Sequence, residues 1–327
     1  MKIVILERHS VGTDVSVDEI IKLGDTTVYN NTSTYEEVKE RVRDAQIIIA
    51  NKSPLNEETL KDAKDVKLIC EFATGYDNVD VEYCKKRNIQ VSNVVNYSTD
   101  AVAQHTFAML FYVAEKLNHY DNYVKSGEYA SQSRFSNFDK PFNELLGKTW
   151  GIVGMGNIGK KVATIANAFG CRVITYSVTG KASSGKGSLN GFEYEYVSFE
   201  ELLKNSDVIS LHCPLSDLTR GLINYDALSK MKKTAYLINV ARGPVVVDAD
   251  LARALDENII AGAGLDVTST EPMKDENPLS KITDSDKLII TPHLAWASTE
   301  ARIRCVNETY LTIEAFLRGE ERNKVWA

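Results

Sequence analysis

Gly154-Met155-Gly156-Asn157-Ile158-Gly159 follows directly on the apolar run Trp150-Gly151-Ile152-Val153 and leads into an amphipathic stretch, Lys160 to Phe169, that Gly170 closes. A strand, a glycine turn and a helix start in that order form the context in which G-x-G-x-x-G reads as a dinucleotide-binding turn. The first glycine permits the tight turn, the second lets the backbone approach a pyrophosphate, and the third lets the helix pack close to the strand. The helix N-terminus then offers unpaired N–H groups and the positive end of its dipole to phosphate. Without its flanks the same string is only a glycine-rich turn. Nearly half the chain precedes this unit, so another module is built first.

A chain of 327 residues exceeds the usual single core, which predicts two domains. Its 43% hydrophobic and 25% charged residues are ordinary for a well-buried globular protein. No run of 18 apolar residues occurs, and Lys2-Ile3-Val4-Ile5-Leu6 reads as a first strand, too short and too soon charged for a signal peptide. Five cysteines (Cys70, Cys84, Cys171, Cys213, Cys305) stand singly, without C-x-x-C spacing, as reduced thiols in a cytoplasmic protein would. The net charge is −7, and basic residues come in pairs such as Lys160-Lys161 and Lys232-Lys233. Nucleic acid and anionic membranes are therefore poor candidates as partners. His105, His119 and His212 show no ligand-like spacing, so no metal is expected.

Upstream of Thr99, short β-rich runs alternate with helix-compatible stretches. The expected strands are Lys2–Leu6, Thr26–Tyr29, Gln46–Ala50, Lys67–Phe72 and Ile89–Ser92. Such alternation implies parallel strands with crossover helices. Apolar spacing at Ala103, Phe107, Leu110, Phe111 and Ala114 predicts one long helix over Thr99–Lys125, and Ser126–Pro141 reads as an arm or loop. A second alternating series has strands at Trp150–Val153, Arg172–Tyr176, Val208–Leu211, Ala235–Asn239, Ile259–Leu265 and Leu288–Ile290. Gly180–Gly187 is a polar low-complexity tract, and a last helix is expected over Thr299–Leu317.

In open parallel sheets ligands gather outside the carboxyl ends of the strands, so residues just beyond predicted strands matter most. Leu237-Ile238-Asn239-Val240-Ala241-Arg242-Gly243 puts a guanidinium there. Gly264-Leu265-Asp266-Val267 puts a carboxylate there, with Glu271-Pro272 five residues on, and Ile289-Ile290-Thr291-Pro292-His293 adds an imidazole. Singly, these are also an ion-pair partner, a solvated charge and a turn residue. Together, beside a dinucleotide turn, they read as one site.

These segments identify the chain as resembling the NAD(P)-dependent D-2-hydroxyacid dehydrogenases over essentially its whole length. The likeness rests on Gly154–Gly159, Leu211-His212-Cys213-Pro214-Leu215, Asn239–Val247, Gly264–Pro272 and Thr291–Ser298. Val102-Ala103-Gln104-His105-Thr106-Phe107 and His293-Leu294-Ala295-Trp296-Ala297-Ser298 are most similar to the glycerate dehydrogenase, or hydroxypyruvate reductase, branch. The resemblance implies an α/β fold of two doubly wound parallel-sheet domains. A Rossmann dinucleotide-binding domain (99–295, with a dimerisation helix and arm over about 99–148) is inserted into a flavodoxin-like substrate domain (1–98 and 296–327). It also implies a homodimer.

For the site, the resemblance implies His293 as general acid in reduction and base in oxidation, Glu271 as the acceptor that fixes its tautomer, and Arg242 as the fork holding the substrate. It implies that Gly154, Gly156, Asn157, Ile158 and Gly159, with Ser177, Cys213, Pro214, Val240, Ala241, Arg242, Asp266 and His293, line the cofactor site. Asp266 would accept from the nicotinamide carboxamide. Phe72-Ala73-Thr74-Gly75-Tyr76-Asp77-Asn78-Val79-Asp80 resembles the loop whose amides bind the substrate carboxylate. Gly75 suits close approach, and Trp296 either caps the pocket or packs against the last helix.

One departure concerns the cofactor. Members preferring NAD carry an acid at the end of the second strand of the nucleotide unit, whereas here Ser177 follows Arg172-Val173-Ile174-Thr175-Tyr176. Thr179, Lys181 and Lys186 lie just beyond, in what reads as a loop, so NAD and NADP both stay open. The leading substrate is a small 2-oxo acid, hydroxypyruvate first, with D-lactate or another D-2-hydroxy acid as alternatives. Corepressors of the C-terminal-binding type share the fold and form a second reading, and a chain end about ten residues past the last helix favours the enzyme. Formate dehydrogenases place a glutamine where Glu271 stands.

Overall fold

The computed structural model describes residues 1–180 and 184–326. The chain divides into two compact units, Met1–Ser98 with Trp296–Ala327, and Thr99–Ala295. Among the described residues no helix is long and apolar enough to cross a membrane.

The first unit is built on five parallel strands: β1 (Lys2–Ile5), β2 (Asp25–Val28), β3 (Ile47–Ala50), β4 (Leu68–Glu71) and β5 (Gln90–Ser92). They lie in the order β2-β1-β3-β4-β5, the flavodoxin-like doubly wound arrangement, with its switch point between β1 and β3. The central strands read Ile-Ile-Ile-Ala and Leu-Ile-Cys-Glu and are buried throughout, as strands covered on both faces must be. The edge strand β2 reads Asp-Thr-Thr-Val and is largely exposed. The helix Tyr35–Val42 starts at a capping box in which the Thr34 side chain accepts from the Glu37 N–H. The last helix, Thr299–Leu317, is capped by Ser298 and packs over β4, and Val325 beyond it donates its N–H to the Val91 carbonyl at 3.0 Å.

The second unit holds eight strands: β6 (Thr149–Val153), β7 (Arg172–Tyr176), β8 (Gly185–Leu189), β9 (Phe192–Tyr196), β10 (Val208–Leu211), β11 (Tyr236–Asn239), β12 (Gly262–Leu265) and β13 (Leu288–Ile290). Their order is β13-β12-β11-β10-β6-β7-β9-β8, parallel except for the edge strand β8. The order reverses between β6 and β10, so the glycine turn after β6 stands at the topological switch point of a Rossmann sheet. Two cores sandwich this sheet. One gathers Val153, Leu203, Ile209 and Leu251, and the other Phe107, Trp150, Ile152 and Val162. Trp150 is fully buried against Phe107, and its indole N–H donates to Ser210 Oγ at 2.9 Å, so burial leaves its polar atom satisfied.

Four expectations need correction. The helix over Thr99–Lys125 is two helices, Thr99–Ala114 and Leu117–Lys125, because Lys116 takes a left-handed backbone (φ 57°) and donates its ammonium to the Asp286 carbonyl. Apolar spacing runs through that break and does not register it. The strand expected from Ile259 starts at Gly262, since the Ile259 N–H reaches back to the Ala254 carbonyl and closes the preceding helix. Gly180–Gly187 is not wholly loop: Gly185 begins a hairpin whose Asn190-Gly191 turn has both residues at positive φ. Finally, the Ser126–Pro141 arm contains a short helix, Glu128–Ser131.

Candidate active site

Three neighbouring strands of the second unit carry the candidate side chains. Arg242 follows β11, Asp266 and Glu271 follow β12, and His293 follows β13, all at carboxyl ends. Fully buried Asn239 shapes the turn into Arg242: its Oδ1 accepts the Ala241 N–H, and its Nδ2 donates to the Arg242 carbonyl, each at 3.0 Å. Gly243 then presses on the next loop, where a Cβ would stand 1.8 Å from the Thr268 carbonyl oxygen. Only glycine lets the Arg242 turn abut the loop that carries Glu271.

His293 and Glu271 are in direct contact. Nδ1 of the imidazole lies 2.7 Å from Glu271 Oε2, while Oε1 of that carboxylate accepts the Thr268 N–H at 3.3 Å. The Glu271 loop is tied from below by buried Asp248, whose Oδ2 accepts from the Ser269 N–H and hydroxyl and from Asn277 Nδ2. His293 itself has φ 53°, a left-handed conformation that costs an ordinary residue about 1–2 kcal/mol. The cost is met locally: the His293 N–H donates to the Asp266 carbonyl at 2.8 Å, and the Asp266 carboxylate accepts the Leu294 and Ala295 N–H groups at 2.8 and 2.9 Å.

The glycine turn fits a dinucleotide. Gly154 has φ 96°, and a Cβ there would meet the Cys213 amide at 2.9 Å, which brings Cys213 and Pro214 beside the turn. A Cβ on Gly159 would stand 2.2 Å from the Gly154 carbonyl, so the helix Asn157–Ala168 packs directly on the turn. A Cβ on Gly156, by contrast, would meet no described atom within 4 Å. The backbone is thus bare on the side where a phosphate would approach, at a helix start whose N-cap residue is Gly156 itself and supplies no side-chain cap. Asn157 and Ile158 open that helix. Val240 and Ala241 lie in the β11 turn, and Ala241 is buried.

Ser177 follows β7, and its carbonyl accepts the Gly180 N–H at 3.0 Å. Lys186 is not in the loop beyond it but on β8, where it pairs with Glu193 at 2.6 Å. Lys181 lies outside the described residues. His212 is structural: burial pushes its imidazole down to about 3, and Nε2 lies 2.9 Å from Ser210 Oγ. All five cysteines are free and buried, and among the described residues no His, Cys, Asp and Glu cluster could hold a metal ion.

Thr74, Gly75 and Trp296 belong to the first unit. The Thr74 hydroxyl donates to the Val94 carbonyl at 2.8 Å and its own carbonyl accepts from Asn93 Nδ2 at 2.7 Å, which pins the loop. Trp296 stands edge-on to Tyr97 with ring centroids 6.2 Å apart. Asn239, Asp248 and Thr291 escape the reading of the sequence. For Asn239 a signal existed, since an Asn before a tight turn bonds its own backbone two residues on.

Known proteins resemble the chain along its whole length. Residues 107–295 match the model of the D-isomer specific 2-hydroxyacid dehydrogenase NAD-binding domain. The chain is 37% identical to a hydroxypyruvate reductase of Blautia hydrogenotrophica over 99% of both chains. It is 38% identical to a glycerate dehydrogenase of Methylorubrum extorquens over 100% of this chain and 99% of that one. An acyclic imino acid reductase solved with NADPH and D-Arg superposes with a TM-score of 0.87 at 32% identity, covering 100% of both chains.

Proposed function

Because the chain belongs to the D-isomer specific 2-hydroxyacid dehydrogenase family, NAD(P)-dependent oxidoreductases, we propose that it interconverts hydroxypyruvate and D-glycerate. The observation that carries the reading is the 2.7 Å contact of His293 Nδ1 with Glu271, at strand ends next to that of Arg242. When bound, a reduced nicotinamide dinucleotide would supply hydride to the substrate carbonyl carbon. Glu271 accepts from Nδ1–H and so assigns the exchanging proton of His293 to Nε2, which delivers it to the substrate oxygen. Arg242 opposes the substrate carboxylate with its planar fork and polarises the carbonyl.

Gly154, Gly156, Asn157, Ile158 and Gly159 hold the pyrophosphate, with Cys213, Pro214, Val240 and Ala241 lining the remaining surface. Asp266 Oδ2 accepts one main-chain N–H and keeps capacity for the carboxamide of the nicotinamide. Ser177 carries no charge against a 2′-phosphate, so the reading admits NADPH beside NADH. Five buried thiols suit a reducing compartment, the cytoplasm. Phe135, Phe138, Phe142, Leu117 and Val124 are exposed large hydrophobics in the arm and the helix before it, which supports a homodimer through that segment.

The test is a substrate panel of hydroxypyruvate, glyoxylate, pyruvate and bulkier 2-oxo acids, run with both cofactors. Highest kcat/KM on hydroxypyruvate supports the assignment. A bulkier acid in first place overturns it.

A further inference from the structure

His105, on the helix Thr99–Ala114, has no part in the chemistry above, yet its imidazole reaches the turn that carries His293. Its Nε2 lies 3.0 Å from Thr291 Oγ1 and 3.7 Å from Asp266 Oδ1. The Thr291 hydroxyl donates to Asp266 Oδ1 at 2.7 Å, and the same carboxylate takes the Leu294 and Ala295 N–H groups. A hydroxyl has one proton. Thr291 spends it on Asp266, so its oxygen must accept from His105, and the imidazole is the Nε2–H tautomer.

The result is a directed chain from His105 Nε2–H to Thr291 Oγ1–H to Asp266, whose carboxylate also accepts the amides that follow His293. That chain braces a turn in which His293 holds φ 53°, a conformation a β-carbon-bearing residue leaves readily unless its neighbours fix it. Asp266 is only 2% exposed, and the His105 side chain 19%, so water competes poorly for these bonds. We infer that His105 is a positioning residue for His293, acting through Thr291 and Asp266 to hold the imidazole in register with the substrate oxygen. This rests on the reading of His293 as the proton donor. Burial draws the His105 imidazole below its ordinary value, against the pull of the Asp266 charge, which suits a neutral single donor.

The experiment compares H105A, H105Q, T291V and the H105A/T291V double variant of the full chain. Rates are taken with hydroxypyruvate and saturating dinucleotide, beside 15N NMR of the His105 ring in the parent protein. Misplacement by about 1 Å costs on the order of 10²-fold, so kcat falls roughly 10- to 100-fold in H105A and in T291V, with the dinucleotide KM within about twofold. H105Q, which keeps a donor, recovers most of that rate. The double variant is no slower than the slower single one, because both break one chain. The NMR spectrum reports Nε2–H. Parent kcat in H105A, equal losses in H105Q and H105A, additive losses in the double variant, or an Nδ1–H ring would each overturn the inference. Should H105A fail to fold, T291V and the spectrum still decide it. Full activity in H293A would remove the proton-donor reading alone, whereas the tautomer tests the chain itself.

Discussion

Nδ1 of His293 and Oε2 of Glu271 stand 2.7 Å apart, on loops that leave two adjacent parallel strands. The contact fixes which ring nitrogen faces Glu271, and on the proposed reading it leaves Nε2 to exchange the proton. Replacing Glu271 with Ala removes that orientation, and kcat for hydroxypyruvate reduction should drop by about 10²-fold, with Gln falling between Ala and the parent. Steady-state kinetics on the two variants check this. Equal rates for all three proteins would mean that the carboxylate does not orient the ring.

Gly159 faces the Gly154 carbonyl so closely that a Cβ would stand 2.2 Å from it. Gly159→Ala must push the helix off the glycine turn, at an overpacking cost of about 1–3 kcal/mol. Dinucleotide affinity measured by titration calorimetry should weaken at least tenfold, while Gly156→Ala, which meets open space, weakens binding without lowering Tm. A Gly159→Ala protein with parent affinity would separate the turn from cofactor binding.

Ser177 stands where an acid would exclude a 2′-phosphate. Ser177→Asp should lower kcat/KM for NADPH by about tenfold or more and leave NADH within about threefold, giving a changed ratio of the two specificity constants. An unchanged ratio would show that the residue after β7 does not read the ribose.

Glu71 is fully buried at the end of β4, and burial lifts its carboxyl to about 8, with Glu7 adding to the rise while Asn78 and Lys52 oppose it. The folded state thus keeps a proton that the unfolded chain releases near 4.5. Its contribution to stability is present below the ordinary carboxyl range and is lost as pH rises through about 8. Glu71→Gln has no such proton. The Tm of the variant relative to the parent should therefore climb between pH 5 and pH 8.5 (about the window bounded by the two values) and level off above it. A constant difference across that range would mean that Glu71 does not titrate there.

Much of this architecture is legible before any coordinates. The runs Ile47–Ala50 and Val208–Leu211 are apolar throughout because their strands are covered on both faces, and such runs announce a parallel sheet. Gly154, Gly156 and Gly159 are read correctly as a turn because strand and helix flank them. What escapes is whatever depends on contacts distant in sequence. The break at Lys116 needs the Asp286 carbonyl, 170 residues away, and the tie of Lys186 to Glu193 needs the hairpin that sets them opposite. At the site, strand ends point to Arg242, Glu271 and His293, and the fold carries all three beyond the carboxyl ends of β11, β12 and β13. The braces beneath them, Asp248 to Ser269 and His105 to Thr291, are polar side chains whose partners only the fold identifies.

The central claim is that His293 carries the proton. The most direct measurement is single-turnover hydride transfer from bound NADH to hydroxypyruvate in the parent and in His293→Ala. The account predicts a loss of about 10²–10⁴-fold in the transfer rate with dinucleotide affinity unchanged. Transfer at the parent rate in His293→Ala would contradict it.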